Sequence, residues 1–316
     1  MRICFILLIV FVLSCSVNFV GNVNDTYSNL KHLTEHNKGI FPLPDIPSVI
    51  ATQDELYSYL LKHYWDEFNF SDSLLLNNKN IIGEGIVGYI TLIYSSDSLC
   101  NEVNESMKSF CRKLSINDSS RNIFLELMEM YLYNPNSPYY NETIFSSFLK
   151  EFIAVNKNDK EIIIRPQFLQ KLINRNMPET NASPFNYYLA DGTKTSLFKT
   201  PINGKYLILL FYDPECINCQ TVLSSMKSNF TLSKAIDEKK ISVLAIYTEG
   251  NKGIWEGSIK DMPQNWILGT DNNFIKDNAI YDLKAMPSIY LLDHNKKVIL
   301  KDSSWEKVMY YLDIVE

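Results

Sequence analysis

A nearly continuous apolar run, Tyr206–Tyr212, limits the fold more than any other segment of the sequence. Such a run is typical of a β-strand that is buried on both faces of a sheet. It is followed by a pair of cysteines, Cys216 and Cys219, and the pattern from these cysteines to about Ser228 predicts a helix. The sequence therefore places two cysteines where a buried strand gives way to a helix.

The segments that follow predict more of the same sheet. Ile241–Tyr247 is a second buried strand and Ser288–Leu292 is a third. The turn Asp293–Lys296 then leads to a partner strand at 297–300, and a final helix is predicted at about 304–314. Strand, helix, strand, hairpin and helix is the order of an α/β domain.

The first half of the chain shows helical periodicity instead. Thr52–Glu55 has the spacing of a capping box, and apolar residues after it recur at helical intervals. Further helical runs are predicted at about 98–115, 120–133, 142–155 and 166–175. We therefore expect an all-helical domain at 51–178, preceded at 18–50 by an extended, proline-containing tether with little packing.

Aromatic residues near the start of this helical domain could form either a ligand surface or a core. Their helical spacing favours the core. The residues concerned are Tyr57, Tyr64, Trp65, Phe68 and Phe70.

The N-terminus has the pattern of a signal peptide. Arg2 precedes an apolar run, Ile3–Leu13, that is too short to span a bilayer comfortably. The run ends in Leu13-Ser14-Cys15, which resembles the lipobox of bacterial lipoproteins. We expect a lipoprotein-type leader at 1–17 and acylation of Cys15, which would hold the chain on a membrane surface of the cell envelope or periplasm. Ordinary cleavage nearby and an uncleaved anchor are the alternatives.

Charge and cysteine content exclude two classes of protein. The formal net charge is -6 and the charges are intermingled, so no basic surface for nucleic acid is expected. Outside the leader only four cysteines remain, too few for a disulfide-stapled scaffold of 316 residues. Cys100 and Cys111 would lie about 16 Å apart along a continuous helix, too far to bond to each other. Both are expected to be buried, inert thiols.

The segment Cys216-Ile217-Asn218-Cys219 at a helix start is typical of a redox pair. The free N–H groups and dipole of a helix N-terminus stabilise an anion, so Cys216 is predicted to be the nucleophile and Cys219 the resolving thiol. Half of a zinc site has the same spacing. No second C-x-x-C or Cys/His pair accompanies this one, so we expect no metal and no other cofactor. A peroxiredoxin would carry Thr or Ser where Asp213 stands.

These motifs resemble the thioredoxin superfamily over about residues 181–316. Phe211–Cys216 is similar to its strand and active-site loop, and Tyr281–Pro287 is similar to its cis-proline segment. The resemblance implies a thioredoxin-like fold, in which helices flank a central mixed β-sheet. It also implies a cis Met286–Pro287 bond beside the cysteines, whose backbone groups bind an extended substrate. The alternative for Pro287 is a proline that begins an edge strand.

A closer resemblance covers nearly the whole mature chain. Tyr131–Pro138, Phe211–Cys216 and Tyr290–Asp293 are similar to a family of bacterial envelope proteins. These proteins join an uncharacterised helical domain to a C-terminal thioredoxin-like domain. The resemblance implies a cell-envelope location, usually as a lipoprotein, and it defines no substrate.

The chain departs from the usual thioredoxin pattern around its cysteines. Leu210 occupies the position of a buried carboxylate that serves as a proton acceptor in many thioredoxins. Glu215 replaces the usual Trp, and the acidic Asp213 and Glu215 should oppose ionisation of Cys216. We therefore predict a reductase or isomerase of protein disulfides rather than a strong oxidant.

The expected partners are protein or peptide disulfides, a membrane electron-transfer protein that supplies reducing equivalents, and the membrane surface. The alternative is a non-catalytic binding or redox-sensing module, in which the helical domain recognises a partner. The intact cysteine pair favours the enzyme.

Overall fold

The computed structural model describes residues 41–96 and 98–313. The predicted leader, with Cys15, and most of the predicted tether lie outside these residues. The chain divides into two compact units, the first ending at Val155 and the second beginning at Asn156. The short segment Asn134–Asn136 groups with the second unit.

Over the residues that the structure describes, all regular structure of the first unit is helical. Its helices are α1 (Gln53–His63), α2 (Ser73–Leu76), α3 (Lys79–Tyr94), α4 (Cys100–Leu114), α5 (Asp118–Leu132) and α6 (Glu142–Val155). Thr52 and Glu55 form the predicted capping box, which satisfies backbone N–H groups at the start of α1.

Aromatic side chains form the core of this unit, as their spacing predicted. Trp65 is at the centre of the cluster, and its ring centroid lies 4.5–5.9 Å from seven other rings. These rings belong to Phe41, Tyr64, Phe68, Phe70, Tyr89, Phe110 and Phe124. The aromatic residues of the sequence prediction are buried and none of them is more than 8% exposed.

Helix α3 was not among the predicted helices because it contains several glycines, which lower helix propensity. The structure gives the reason for these glycines. A Cβ atom at Gly85 would lie 2.4 Å from the Phe41 ring, and one at Gly88 would lie 2.3 Å from the Tyr64 hydroxyl. Only glycine lets α3 approach these aromatic rings so closely.

Two expectations about single residues were wrong. Phe41, in the segment predicted to pack little, is 1% exposed because its ring stacks on Tyr64 and contacts Trp65. Cys100, predicted to be buried, is exposed because it is the first residue of α4, whereas Cys111 is buried as expected.

The second unit begins with a helix and continues into a mixed sheet. Its helices are α7 (Lys160–Ile173), α8 (Ile217–Ser228), α9 (Phe230–Asp237), α10 (Lys252–Ile259), α11 (Phe274–Asp277) and α12 (Trp305–Leu312), and a 3-10 turn covers Leu197–Lys199. Its strands are β1 (Asn186–Leu189), β2 (Lys194–Ser196), β3 (Tyr206–Tyr212), β4 (Ile241–Tyr247), β5 (Ile267–Thr270), β6 (Ser288–Asp293) and β7 (Val298–Leu300).

The strands form one sheet in the order β2-β1-β5-β4-β3-β6-β7. Strands β3, β4 and β5 are parallel, and β6 is antiparallel to β3. The side chains of β3 alternate between two apolar clusters. Ile208, Leu210 and Tyr212 belong to one cluster, together with Cys219, while Leu209 and its odd-numbered neighbours belong to the other. Period-two alternation places these clusters on opposite faces of the sheet, so β3 is buried on both faces as predicted.

The contacts of α7 explain why the division of the chain falls earlier than the predicted boundary near residue 178. Lys301 Nζ donates a hydrogen bond to the Ile173 carbonyl at 2.6 Å. Asn176 Nδ2 donates to the Ile280 carbonyl at 3.2 Å. The end of α7 and the residues after it are therefore held by the sheet unit. Within the described residues, no helix is both long enough and apolar enough to cross a membrane.

Candidate active site

The cysteine pair lies where β3 passes into α8. Strand β3 ends at Tyr212, and the turn that follows is closed by a hydrogen bond from the Cys216 N–H to the Asp213 carbonyl at 3.2 Å. The Glu215 N–H donates to Asp213 Oδ1 at 3.0 Å. Cys216 is the N-cap residue of α8, and no side chain caps this end of the helix. The Cys216 side chain therefore lies at the N-terminal end of α8, where the backbone N–H groups have no partner within the helix.

The thiol of Cys216 is directed at the cis-proline segment. Cys216 is partly exposed, and its Sγ lies 3.6 Å from the Met286 carbonyl oxygen, to which the thiol donates a hydrogen bond. The Met286–Pro287 peptide bond is cis. Both expectations for this segment, the cis bond and its position against the cysteines, are confirmed.

The second thiol has a different environment. Cys219 is fully buried, and its Sγ accepts a hydrogen bond from the Asp213 N–H at 3.4 Å. Burial in apolar surroundings raises the pKa of Cys219 to about 12. The hydrogen bond from the Asp213 N–H lowers this pKa in part, whereas the Cys216 thiol and the negative charge of Asp213 raise it. At neutral pH Cys219 is therefore a neutral thiol that solvent does not reach.

The surface around Cys216 is apolar and acidic. Ile217, the next residue, is 71% exposed, and Glu215 is also exposed. Asp213 is half-buried. These two acidic side chains lie on either side of Pro214 in the turn that precedes Cys216, which is where the sequence predicted that they would oppose ionisation of this thiol. That effect on Cys216 stays a prediction.

A buried ion-pair network holds the cis-proline segment. Lys284 Nζ lies 2.7 Å from Asp282 Oδ2 and 3.8 Å from Asp302 Oδ2. The side chains of Lys284 and Asp282 are only 8% and 4% exposed. Ser288, the residue after Pro287, donates from its hydroxyl to Asp302 Oδ1 at 2.6 Å. The network therefore fixes the chain on both sides of Met286.

The other cysteines lie outside this site. Cys100 and Cys111 both lie on α4 of the first unit, the former exposed and the latter buried. Burial raises the pKa of Cys111 well above the usual value for a thiol. Within residues 41–96 and 98–313, no three His, Cys, Asp or Glu side chains are grouped so that they could hold a metal ion.

Comparison with known proteins identifies the family. A family model described as a domain of unknown function, DUF5106, matches residues 21–176. The crystal structure of a thioredoxin-like protein from Bacteroides caccae is 31% identical in sequence, with a TM-score of 0.72, over 89% of this chain and 100% of that chain. This chain belongs to the thioredoxin-like proteins. Its N-terminal helical part is a DUF5106 domain.

Two shorter solved structures also match part of the present chain. The C-terminal domain of an uncharacterised protein from Bacteroides fragilis is 34% identical over 44% of this chain and 98% of that chain, with a TM-score of 0.42. A domain described as a possible thiol-disulfide isomerase, from Cytophaga hutchinsonii, is 26% identical over 44% of this chain and 93% of that chain, with a TM-score of 0.38. No curated protein matches the chain.

Two features of the site were not predicted. No local pattern predicts that Lys284 is buried between Asp282 and Asp302, because Asp302 is distant from Lys284 in the chain and joins it only through the fold. The contact of Asp213 with Cys219 was also missed. Its signal was present, since Asp213 is the first residue after the buried strand and shares a short loop with the cysteines.

Burial of only one member of the pair predicts a difference in labelling. Brief treatment of the reduced protein with iodoacetamide should alkylate Cys216 and leave Cys219 largely unmodified, because a buried neutral thiol reacts slowly. Mass mapping of the modified residues measures this. Exposed Cys100 and buried Cys111 are matched controls outside the site. Faster labelling of Cys219 than of Cys216 would reverse the assigned roles.

The buried network predicts that Lys284→Met destabilises the fold. The substitution keeps most of the side-chain volume but removes the charge that compensates Asp282, and breaking a buried pair costs about 3–5 kcal/mol. Urea unfolding followed by circular dichroism measures the loss. The control is Lys252→Met, since the Lys252 side chain is 82% exposed and its pairing with Glu256 should contribute little. Equal, small effects of both substitutions would contradict the role given to the network.

Proposed function

We propose that this thioredoxin-like protein is an exported thiol:disulfide oxidoreductase that reduces or isomerises protein disulfides. One observation carries the proposal: of the two thiols, one is accessible and lies against the carbonyl that precedes the cis-proline, and the other is buried. Cys216 is partly exposed and contacts the Met286 carbonyl, whereas Cys219 is fully buried one helical turn away. Exchange by a dithiol needs one sulfur that reaches the substrate and another that acts only after it.

The chemistry follows from this difference. The Cys216 thiolate attacks one sulfur of a substrate disulfide, and the other substrate sulfur leaves with the bonding electrons and takes up a proton. Cys219 then attacks the sulfur of Cys216, which releases the second substrate thiol. The substrate disulfide is reduced by two electrons, and the cysteine pair is oxidised to a disulfide. Isomerisation is the case in which the released substrate thiol attacks the mixed disulfide before Cys219 does.

Substrate binding is assigned to the segment around Met286 and Pro287. An extended peptide can pair with the free backbone groups of such a segment by hydrogen bonds, which gives affinity without a specific sequence. The exposed Ile217 adds an apolar surface beside the reactive sulfur. We therefore propose protein or peptide disulfides as substrates, and no small organic cofactor.

The direction of the reaction is proposed from the charges near Cys216. Asp213 and Glu215 are acidic, and no cation stands between the two cysteines. Negative charge near a cysteine disfavours its thiolate, whereas strong oxidants of this fold class stabilise the thiolate form of the reduced pair. The site thus favours a reductant or isomerase, which a membrane electron-transfer protein would return to the dithiol state.

A covalent trap tests the proposed function. In Cys219→Ala the mixed disulfide between Cys216 and substrate should persist, because the resolving thiol is missing. Non-reducing gels of cells that express this variant should show adducts that disappear on treatment with dithiothreitol, and mass spectrometry of these adducts would identify the substrates.

The matched control carries Cys216→Ser together with Cys219→Ala and should form no adducts. A folded, exported Cys219→Ala chain that traps nothing would remove the main support for disulfide exchange. A binding or redox-sensing module would then be the better hypothesis.

The location of the protein is proposed from its leader. We propose that Cys15 is acylated and anchors the chain to a membrane of the cell envelope. Cys15→Ala should then release the chain from the membrane fraction or block its processing, which fractionation and labelling with radioactive palmitate measure. Cys4→Ala is the control, because Cys4 lies in the apolar part of the same leader. Normal processing and unchanged membrane retention of Cys15→Ala would contradict the anchor.

A further inference from the structure

Resolution of the mixed disulfide presents this site with a proton-transfer problem. Cys219 must lose its proton before it can attack, yet it is fully buried and burial raises its pKa to about 12. The position from which many thioredoxins supply a buried carboxylate is occupied by Leu210, which is fully buried in the same apolar cluster as Cys219. Another group therefore has to accept the proton.

Asp213 is in contact with the sulfur that must be deprotonated. Its backbone N–H donates to Cys219 Sγ at 3.4 Å. Its Oδ1 atom accepts from the Glu215 N–H at 3.0 Å, while Oδ2 accepts no hydrogen bond from the described residues. The side chain is half-buried, and its negative charge reaches Cys219 strongly enough to contribute to the raised pKa of that thiol. The residue whose backbone contacts the buried thiol therefore also carries a carboxylate whose charge acts on that thiol.

The other ionisable groups near Cys219 are poorer acceptors. Tyr212 and Tyr247 pack in the same cluster, but burial raises the pKa of each phenol, so both stay neutral at neutral pH. Cys216 is in the mixed disulfide at this stage. Among the carboxylates of the described residues, Asp213 is the one whose charge acts on Cys219.

Asp271, which follows β5, is a buried carboxylate near the carboxyl edge of the parallel strands, but its hydrogen-bond partner belongs to the other side of the sheet. Its Oδ2 accepts from the Ile275 N–H at 2.5 Å, and Ile275 belongs to the cluster on the opposite face of the sheet from Cys219. Asp271 is not among the groups whose charge acts on Cys219.

We propose that the Asp213 carboxylate accepts the proton of Cys219 when the mixed disulfide is resolved. This inference rests on the proposed function and assigns the base for its second step. The Cys219 thiol passes its proton to Asp213, and the resulting thiolate bonds to the sulfur of Cys216. The bond between Cys216 and the substrate sulfur breaks, and its electron pair leaves on the substrate sulfur, which takes the proton from Asp213. The cysteine pair ends as a disulfide and the substrate as a thiol.

The direction in which Asp213→Asn changes the rate of resolution distinguishes a proton acceptor from a purely electrostatic role. Asp213→Asn removes a negative charge that disfavours the Cys219 thiolate, so electrostatics alone predict faster resolution. Loss of a proton acceptor predicts slower resolution, and general bases typically contribute about 100-fold or more. We expect Asp213→Asn to resolve the mixed disulfide about 100-fold more slowly at pH 7.

The pH profile gives a second readout that a merely structural role would not change. Without the acceptor, Cys219 must ionise to solvent, so the resolution rate of Asp213→Asn should rise about tenfold per pH unit. It should approach the wild-type rate in strongly alkaline solution. Asp213→Glu should restore much of the rate near neutral pH, because it restores a carboxylate.

The experiment follows the cysteine pair directly. The reduced full-length chain is mixed with excess 5,5′-dithiobis(2-nitrobenzoate), quenched in acid at intervals, denatured and alkylated. The tryptic peptide from Tyr206 to Lys227 contains Cys216 and Cys219 and no other cysteine. Its mass distinguishes the dithiol, the mixed disulfide and the internal disulfide, so attack and resolution are timed separately and the other cysteines do not interfere.

Matched variants make the outcomes decisive. Glu215→Gln removes a neighbouring acidic charge and should leave resolution within about twofold of wild type, since Glu215 is exposed. Asp213→Ser is a second neutral variant whose hydroxyl can still accept from the Glu215 N–H, in case the amide disturbs folding. Unchanged or faster resolution in the folded neutral variants would overturn the role of Asp213 while leaving the proposed function intact. Failure of the wild type to form any mixed disulfide would overturn both.

Discussion

The antiparallel pairing of β3 with β6 determines where the chemistry of this protein takes place. Phe211, near the end of β3, pairs with Ser288, the first residue of β6. The chain that leaves β3 carries the cysteines, and the chain that enters β6 carries Met286 and Pro287, so this register alone brings the two loops together. A slip by one residue would turn every side chain of β6 to the other face of the sheet. Because both strands are almost entirely apolar and buried, such a slip is strongly disfavoured.

The same arrangement gives two cysteines of one motif different properties. Cys216 caps the helix at the surface, while Cys219, one turn later, joins the apolar cluster between the sheet and its helices. Burial protects the second thiol from oxidants in solution and keeps it neutral until the first thiol has reacted. It also makes deprotonation of Cys219 dependent on a neighbouring group. A protein of this fold that lacks the buried carboxylate of many thioredoxins therefore needs another proton acceptor near its second cysteine.

The sequence predicted features that depend on a local pattern, but it did not predict features that depend on contacts between distant residues. The bounds of β3 and β4 were predicted correctly, because a continuous apolar run specifies a buried central strand without reference to its neighbours. Helix α3 was missed because its glycines are selected by aromatic rings from distant residues, which no local pattern reports. The network of Lys284 was missed for the same reason: ionic partners that are far apart in the chain become neighbours only when the fold is known. The cysteine site combines both cases. Its motifs are local and were predicted, whereas the contact of Asp213 with Cys219 depends on the conformation of the turn between them.

The hydrogen bonds that end α7 bear on how such proteins are assembled from modules. The family model for the N-terminal domain extends to residue 176, whereas the compact units divide after Val155. The segment matched by the family model and the first compact unit therefore differ by one helix, α7. Lys301 and the Ile280 carbonyl bond to residues that the family model assigns to the other domain. Exchange of the N-terminal domain between relatives at the family boundary would therefore replace α7 and the residues after it, and with them the groups that bond to Lys301 and to the Ile280 carbonyl.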